Sequence, residues 1–105
     1  MNCNSPDNNQ LIQAILAIQT GDEARNFLRD LMTEKEIDEF AKRLKAAEML
    51  TEKVPYLIIE KQTGLSSATI ARVAKWLNGP DGGYKTIIDR LHHHSNSSQL
   101  RRELS

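Results

Sequence analysis

The residues whose types and spacing could do chemistry fall into three groups. Near the C-terminus, Asp89 and His93 stand four apart within the run Asp89-Arg90-Leu91-His92-His93-His94. Two ligands at that spacing can share one helix face, as metal ligands do. Three adjacent histidines point in three directions around a helix, however, and no second cluster of Cys, His or carboxylate supports them, so the run reads as a solvated helix end. The glycines of Gly79–Gly83 lack the preceding strand and the following Lys-Ser/Thr of a phosphate loop, so this stretch reads as a linker. Serines and threonines are plentiful, but none sits beside a plausible base, and neither nucleophilic nor acid–base catalysis is expected. The third group is Ser67, Thr69, Arg72 and Lys75, on one face of a single short helix. It is small and polar at its start and basic further along, a pattern that suits the major groove of duplex DNA.

That third group depends on Tyr56–Leu77, which reads as two short helices joined by a tight turn. Pro55 is expected at the first helical position, where its missing N–H costs nothing. Gly64 stands where a helix must end in a residue of positive φ. Ser66 can cap the next helix. On that helix Ile70, Val73, Ala74 and Leu77 recur at three and four residues and make one buried stripe. Ile59, Leu65, Ile70 and Val73 can close the corner between the two helices. The arrangement is that of a helix-turn-helix, or else of an ordinary helical hairpin. Glu60 departs from the small residue usual at its position.

Other helices precede and follow. Ser5-Pro6-Asp7 starts the first, with Ser5 as cap and Pro6 at the first helical position; Leu11, Ile12, Ile15 and Leu16 line one face. Thr20 and Glu23 have capping-box spacing, each side chain bonding the other's backbone N–H. The helix they open is expected to bury Ala24, Phe27, Leu28 and Leu31. A second capping box, Thr33 to Glu36, opens the longest helix, with a stripe of Ile37, Phe40, Ala41, Leu44, Ala47 and Leu50. Arg43 on that helix is a surface charge or holds an anion. Trp76, beside the reading helix's stripe, suits the core, a dimer contact or the wall of a small-molecule pocket. After the turn at 78–83 a last helix carries Tyr84, Ile87, Ile88 and Leu91. Residues 1–4 are expected to be disordered and the polar run from Ser95 flexible, with Arg101 and Arg102 in a solvated tail.

The 105 residues suit one domain with a modest core. Lys and Arg number 14, as do Asp and Glu, so the chain is not a polycation. Basic charge is local: residues 54–77 hold Lys61, Arg72 and Lys75 against only Glu60. Cys3 alone cannot form an internal disulfide, which fits a reducing compartment. The N-terminal residues carry no apolar signal segment, and no apolar run approaches the ~20 residues that span a bilayer. A cytoplasmic protein with no membrane contact is expected.

The chain resembles the Trp repressor superfamily, and within it the YerC/YecD-type branch. The resemblance runs from about Leu31 to Asn78. It rests on L-M-T-E-K-E-I-D-E-F-A-K-R-L-K-A-A-E-M-L for the long helix and T-G-L-S-S-A-T-I-A-R-V-A-K-W-L-N for the turn and reading helix. Its most specific part is Ala68–Arg72 after a glycine turn. The resemblance implies an intertwined all-α homodimer of about six helices per chain whose two helix-turn-helix heads read a palindromic operator. By the same resemblance Ser67, Ala68 and Thr69 approach base edges, Lys61 and Lys75 contact phosphates, and Ser66 caps the reading helix. The two arginines that sandwich tryptophan in the Trp repressor are matched by Arg43 and Arg72. A pocket glycine, however, is replaced by Val73 and a serine by Trp76. Tryptophan is therefore not expected as corepressor, and no cofactor is expected.

The organisation expected is a single all-α domain over 1–105: dimerisation helices in 1–32 (or else a cover for the third helix within one subunit), a long helix in 33–53, the helix-turn-helix in 55–77, a last helix in 83–94 and a tail in 95–105. The function expected is sequence-specific binding of an operator by a homodimeric transcriptional regulator acting as a repressor. The alternative is a helical protein-interaction module that has lost DNA binding.

Overall fold

Helices form where the capping residues stand. In the computed structural model, which describes residues 5–104 and the side chains of 5–93, Ser5 Oγ accepts the N–H of Asn8 at 3.2 Å. Pro6 then opens α1, Pro6–Leu16. Thr20 Oγ1 accepts the N–H of Glu23 at 3.1 Å and opens α2, Gly21–Leu31. The return bond differs from expectation: Glu23 Oε1 accepts the N–H of Gln19 at 3.0 Å, one residue before the cap. The box at α3, Glu34–Thr51, is reciprocal: Glu36 N–H donates to Thr33 Oγ1 at 3.1 Å, and Thr33 N–H donates to Glu36 Oε1 at 3.0 Å. The Thr33 N–H and the Thr33 hydroxyl, which also donates to Glu36 Oε1 at 3.0 Å, hold the exposed Glu36 carboxyl below the usual carboxylate range. The expectations for Cys3, for residues 1–4 and for the side chains of His94, Arg101 and Arg102 lie outside what is described.

The order continues with α4, Tyr56–Thr63, α5, Ser67–Leu77, and α6, Gly83–Leu104. All six described elements are helices, the all-α class expected. Helix α6 runs to Leu104 and does not stop at His94. Nothing between Ser95 and Leu104 breaks a helix: the stretch holds no Gly or Pro, and its serines and Asn96 each cost under ~0.7 kcal/mol against alanine.

The chain divides into two compact units, ending at Ile37 and starting at Asp38, where length suggested one. In the first unit neither α1 nor α2 contains a buried residue. Leu28 and Leu31, expected to be buried, are exposed, and Ala24 and Phe27 are half-buried. Leu16 is 71% exposed. Two short helices have too little surface to cover each other's stripes.

In the second unit Ala46, Ala47 and Met49 of α3 pack with Ile59 of α4, Leu65 of the turn, Ile70 and Val73 of α5, and Ile88 of α6. Ala46, Ala47, Ile59 and Ile70 are fully buried. The α3 stripe is corrected here: Phe40 is 45% exposed, Ala41 is exposed, and Leu44 and Leu50 are partly covered. The core therefore takes in the C-terminal half of α3, at Ala46, Ala47 and Met49. On α6 only Ile88 of the expected stripe is buried; Ile87 and Leu91 are exposed.

Lys53 ends α3 in the left-handed region, with φ 61°. Its N–H donates to Leu50 O and that of Val54 to Met49 O, each at 3.0 Å, which is the bonding of a Schellman end. The motif directs the chain into Pro55 and α4 without a glycine.

Candidate nucleic-acid interface

The corner between α4 and α5 is built from local bonds. Pro55 is the N-cap of α4, with φ −62° and ψ 148°, one residue before the first helical position expected for it. Its extended ψ still lets its carbonyl accept the N–H of Ile59 at 3.2 Å. Gly64 has φ 76° and its N–H donates to Glu60 O at 2.9 Å. Buried Thr63 ties the turn together: its hydroxyl donates to Ile59 O at 2.7 Å and accepts the N–H of Leu65 at 3.2 Å. That bridge was not visible as a motif, since a threonine at a helix end is common. Ser66 Oγ accepts the N–H of Thr69 at 3.2 Å, which caps α5 as expected, and donates to Thr69 Oγ1 at 3.0 Å. Ile59, Leu65, Ile70 and Val73 all lie in the core and close the corner.

Packing Ile70, Val73 and Leu77 inward leaves α5 two other sides. Ser67, Ala68, Ala71, Arg72 and Lys75 are exposed. Ala68, Ala71, Arg72, Lys75 and Trp76 line a shallow groove along the outward side. Thr69 is half-buried, with its hydroxyl held by Ser66, so it stands at the edge of this face. Lys61 is exposed in the last turn of α4, where it also complements the negative end of that helix's dipole. Lys75 has the same place at the end of α5. Glu60 is half-buried. Ala71 was not among the residues singled out, although its spacing of three from Ala68 and four from Lys75 placed it there.

Arg43, Thr69, Arg72, Val73, Trp76 and Tyr84 line one cavity of about 60 Å³. The four residues that the resemblance placed around an effector are thus brought together, joined by Tyr84, which no spacing signalled because a glycine–proline turn intervenes. The space holds a water molecule or two, each needing ~30 Å³. Small-molecule sites occupy roughly 300 Å³ or more. Trp76 is not a core residue: it is 54% exposed and forms the rim between cavity and groove. One residue before Leu77, it points about 100° away from that buried position. Arg43 Nε is buried and lies 3.5 Å from Glu39 Oε1, too long for a hydrogen bond, and has no hydrogen-bond partner among the described residues. Its guanidinium sits 5.7 Å from the centre of the Phe40 ring, within cation–π range.

Of the histidines, His92 Nε2 lies 3.8 Å from Glu48 Oε2. His93 and Asp89 are exposed. Among the described residues no group of three or more His, Cys, Asp or Glu side chains could hold a metal ion. No helix among them is long and apolar enough to cross a membrane.

The family model described as Trp repressor protein matches residues 7–92. The chain is 42% identical over 82 residues to YerC of Bacillus subtilis (strain 168), itself described as uncharacterized, covering 78% of this chain and 79% of that one. It is similar in structure to a TrpR like protein from Eubacterium eligens ATCC 27750, with a TM-score of 0.79 and 42% identity over 86% of this chain and 93% of the other. A second solved structure, from Staphylococcus aureus, gives a TM-score of 0.79 at 33% identity over 88% and 95% of the two chains.

Proposed function

The chain belongs to the Trp repressor family, and from that premise we propose that it is a cytoplasmic, homodimeric regulator of transcription that binds a duplex operator and represses by occlusion. The observation that carries this reading is the capped α5, which presents Ser67, Ala68 and Ala71 to solvent with Arg72 and Lys75 behind them. Small side chains allow close approach to base edges, and the cations meet phosphates. Lys61 at the end of α4 adds a phosphate contact. Thr69 reads a base from the edge of this face.

Dimer formation is supported by α1 and α2, whose Leu11, Ile15, Leu16, Leu28 and Leu31 stay exposed within one chain. A second copy would cover them. The operator would be palindromic, with half-site centres about 34 Å apart. Tryptophan would not be needed: Val73 and Trp76 leave about 60 Å³ where the resemblance places the corepressor.

Selection from random duplex DNA at two salt concentrations tests the reading. A palindromic consensus is expected, retained at the higher salt, with binding changed less than about threefold by tryptophan. Arg72→Ala is expected to weaken binding to that duplex, and Thr69→Ala to relax its base preference. No enrichment, with or without cell metabolites, would refute it. The alternative of a protein-interaction module is favoured by one observation, the exposed run Tyr56, Leu57 and Ile58 on α4. A flat dependence of any DNA binding on salt would support it, since phosphate contacts release counterions.

A further inference from the structure

Two of the residues that line the outward groove of α5, Ala68 and Ala71, have side chains without a hydrogen-bonding group. Ala68 and Ala71 are both exposed and one helical turn apart, which puts their methyl groups roughly 5–6 Å from each other. The other lining residues are different in kind: Arg72 and Lys75 bring positive charge, and Trp76 brings an exposed indole. The cations complement a phosphate backbone, which draws a nucleic-acid strand to this groove. The alanines then decide which base edges can be accommodated.

In the major groove adenine and cytosine each show an amino donor, and guanine shows two acceptors. Thymine alone shows a methyl group. An alanine methyl set against an amino group or a guanine acceptor strips its water and returns no bond, an unfavourable exchange. Set against the thymine methyl, it buries apolar surface on both sides. We propose that Ala68 and Ala71 are specificity-determining residues that select thymine, through its 5-methyl group, at two positions of each half-site one or two steps apart. The inference rests on the DNA-binding reading above. It adds the base chemistry recognised and assigns Ala71 a role.

The spacing of the two methyl groups sets the spacing of the two thymines. Bases on one strand rise about 3.4 Å per step, so methyl groups 5–6 Å apart reach thymines one or two steps apart. Ser67, exposed at the first position of α5, is polar and reads a base beyond them.

The test uses the full chain and a duplex enriched from random DNA. Each thymine is replaced in turn by deoxyuridine, which keeps every hydrogen-bonding group and removes only the methyl. Binding is followed by anisotropy of an end-labelled duplex and by the fluorescence of Trp76, the single tryptophan. Loss of about fourfold in affinity is expected at two positions per half-site and less than twofold elsewhere. That figure is the ~0.8 kcal/mol of a buried carbon group converted at 1.4 kcal/mol per tenfold. Ala71→Gly removes one protein methyl and should abolish the thymine–uracil difference at one of the positions. Ala71→Ser, which keeps a side chain in the helix, should reduce it to below twofold, and circular dichroism reports whether either variant is folded. Ala68→Ser should act on the other position. An enriched duplex bound equally well with uracil at every position would overturn the inference and leave DNA binding intact. So would a methyl dependence unchanged in folded Ala68→Ser and Ala71→Ser. Failure to enrich any duplex would overturn the DNA-binding reading and the inference with it.

Discussion

Thr63→Val tests the turn on which the reading helix depends. Valine keeps the β-branched shape of threonine and replaces one hydroxyl by a methyl group. The hydroxyl removed donates to Ile59 O at 2.7 Å and accepts the N–H of Leu65 at 3.2 Å. Thr63 and Leu65 are both buried. Losing the first bond costs about 1 kcal/mol. The second loss is larger, because the Leu65 amide has one proton and a buried position, and an orphaned buried donor costs roughly 1–3 kcal/mol. The added methyl returns about 0.8 kcal/mol of apolar burial. The net expectation is a loss of about 2 kcal/mol. At a urea slope of roughly 2 kcal/mol per molar this moves the midpoint down by about 1 M. Unfolding is followed by far-ultraviolet circular dichroism at one fixed protein concentration, so that any association weighs equally on both proteins. Thr63→Ser is the control: it keeps both bonds, and should lose only about 1 kcal/mol for its missing methyl. A Thr63→Val protein within about 0.5 kcal/mol of the parent, or one less perturbed than Thr63→Ser, would show that the bridge does not hold the turn.

Lys53→Gly removes the steric cost of a left-handed side chain at the end of α3 and should stabilise by up to about 1 kcal/mol, read as a higher melting temperature. The two Thr33 bonds hold the Glu36 carboxyl below the ordinary carboxylate range, so its contribution is present above the pH at which the unfolded carboxyl titrates and is lost as pH falls through the lowered folded value. Glu36→Gln should therefore lose less stability than the parent between pH 7 and pH 3 in paired urea titrations. Lys75→Ala removes one proposed phosphate contact per chain and two per dimer. It should flatten the slope of log affinity against log salt by about 1.8, with base preference unchanged.

Elements were legible in this chain because their signals are local. A cap acts on an N–H three residues away, and Ser5, Thr20, Thr33 and Ser66 each accept such a bond. Gly64 at positive φ between two apolar runs located the helix-turn-helix before any packing was known. Amphipathic spacing also placed Ile59, Leu65, Ile70 and Val73 together, since each helix has one stripe and the turn is short. Spacing was less informative about which side of a long helix is covered. Helix α3 has apolar residues on more than one side, and the core takes in Ala46, Ala47 and Met49 while Phe40 stays 45% exposed.

Function depends most on the part that spacing left open. Thr69 and Trp76 share the helix with Ser67 and Ala68, yet Thr69 is half-buried against Ser66 and Trp76 stands at a rim. Their orientation follows from the roll of α5, which is set where its Ile70 and Val73 share the core with Ala46, Ala47 and Met49 of α3 and Ile88 of α6, residues distant in the chain. Tyr84 enters the same cavity from beyond a turn whose course depends on Gly82 at φ 66°. Caps and turns need only neighbours a few residues away, so the sequence specifies them directly. The face a helix shows to a partner is decided by contacts between distant segments, and only the folded chain brings those into being.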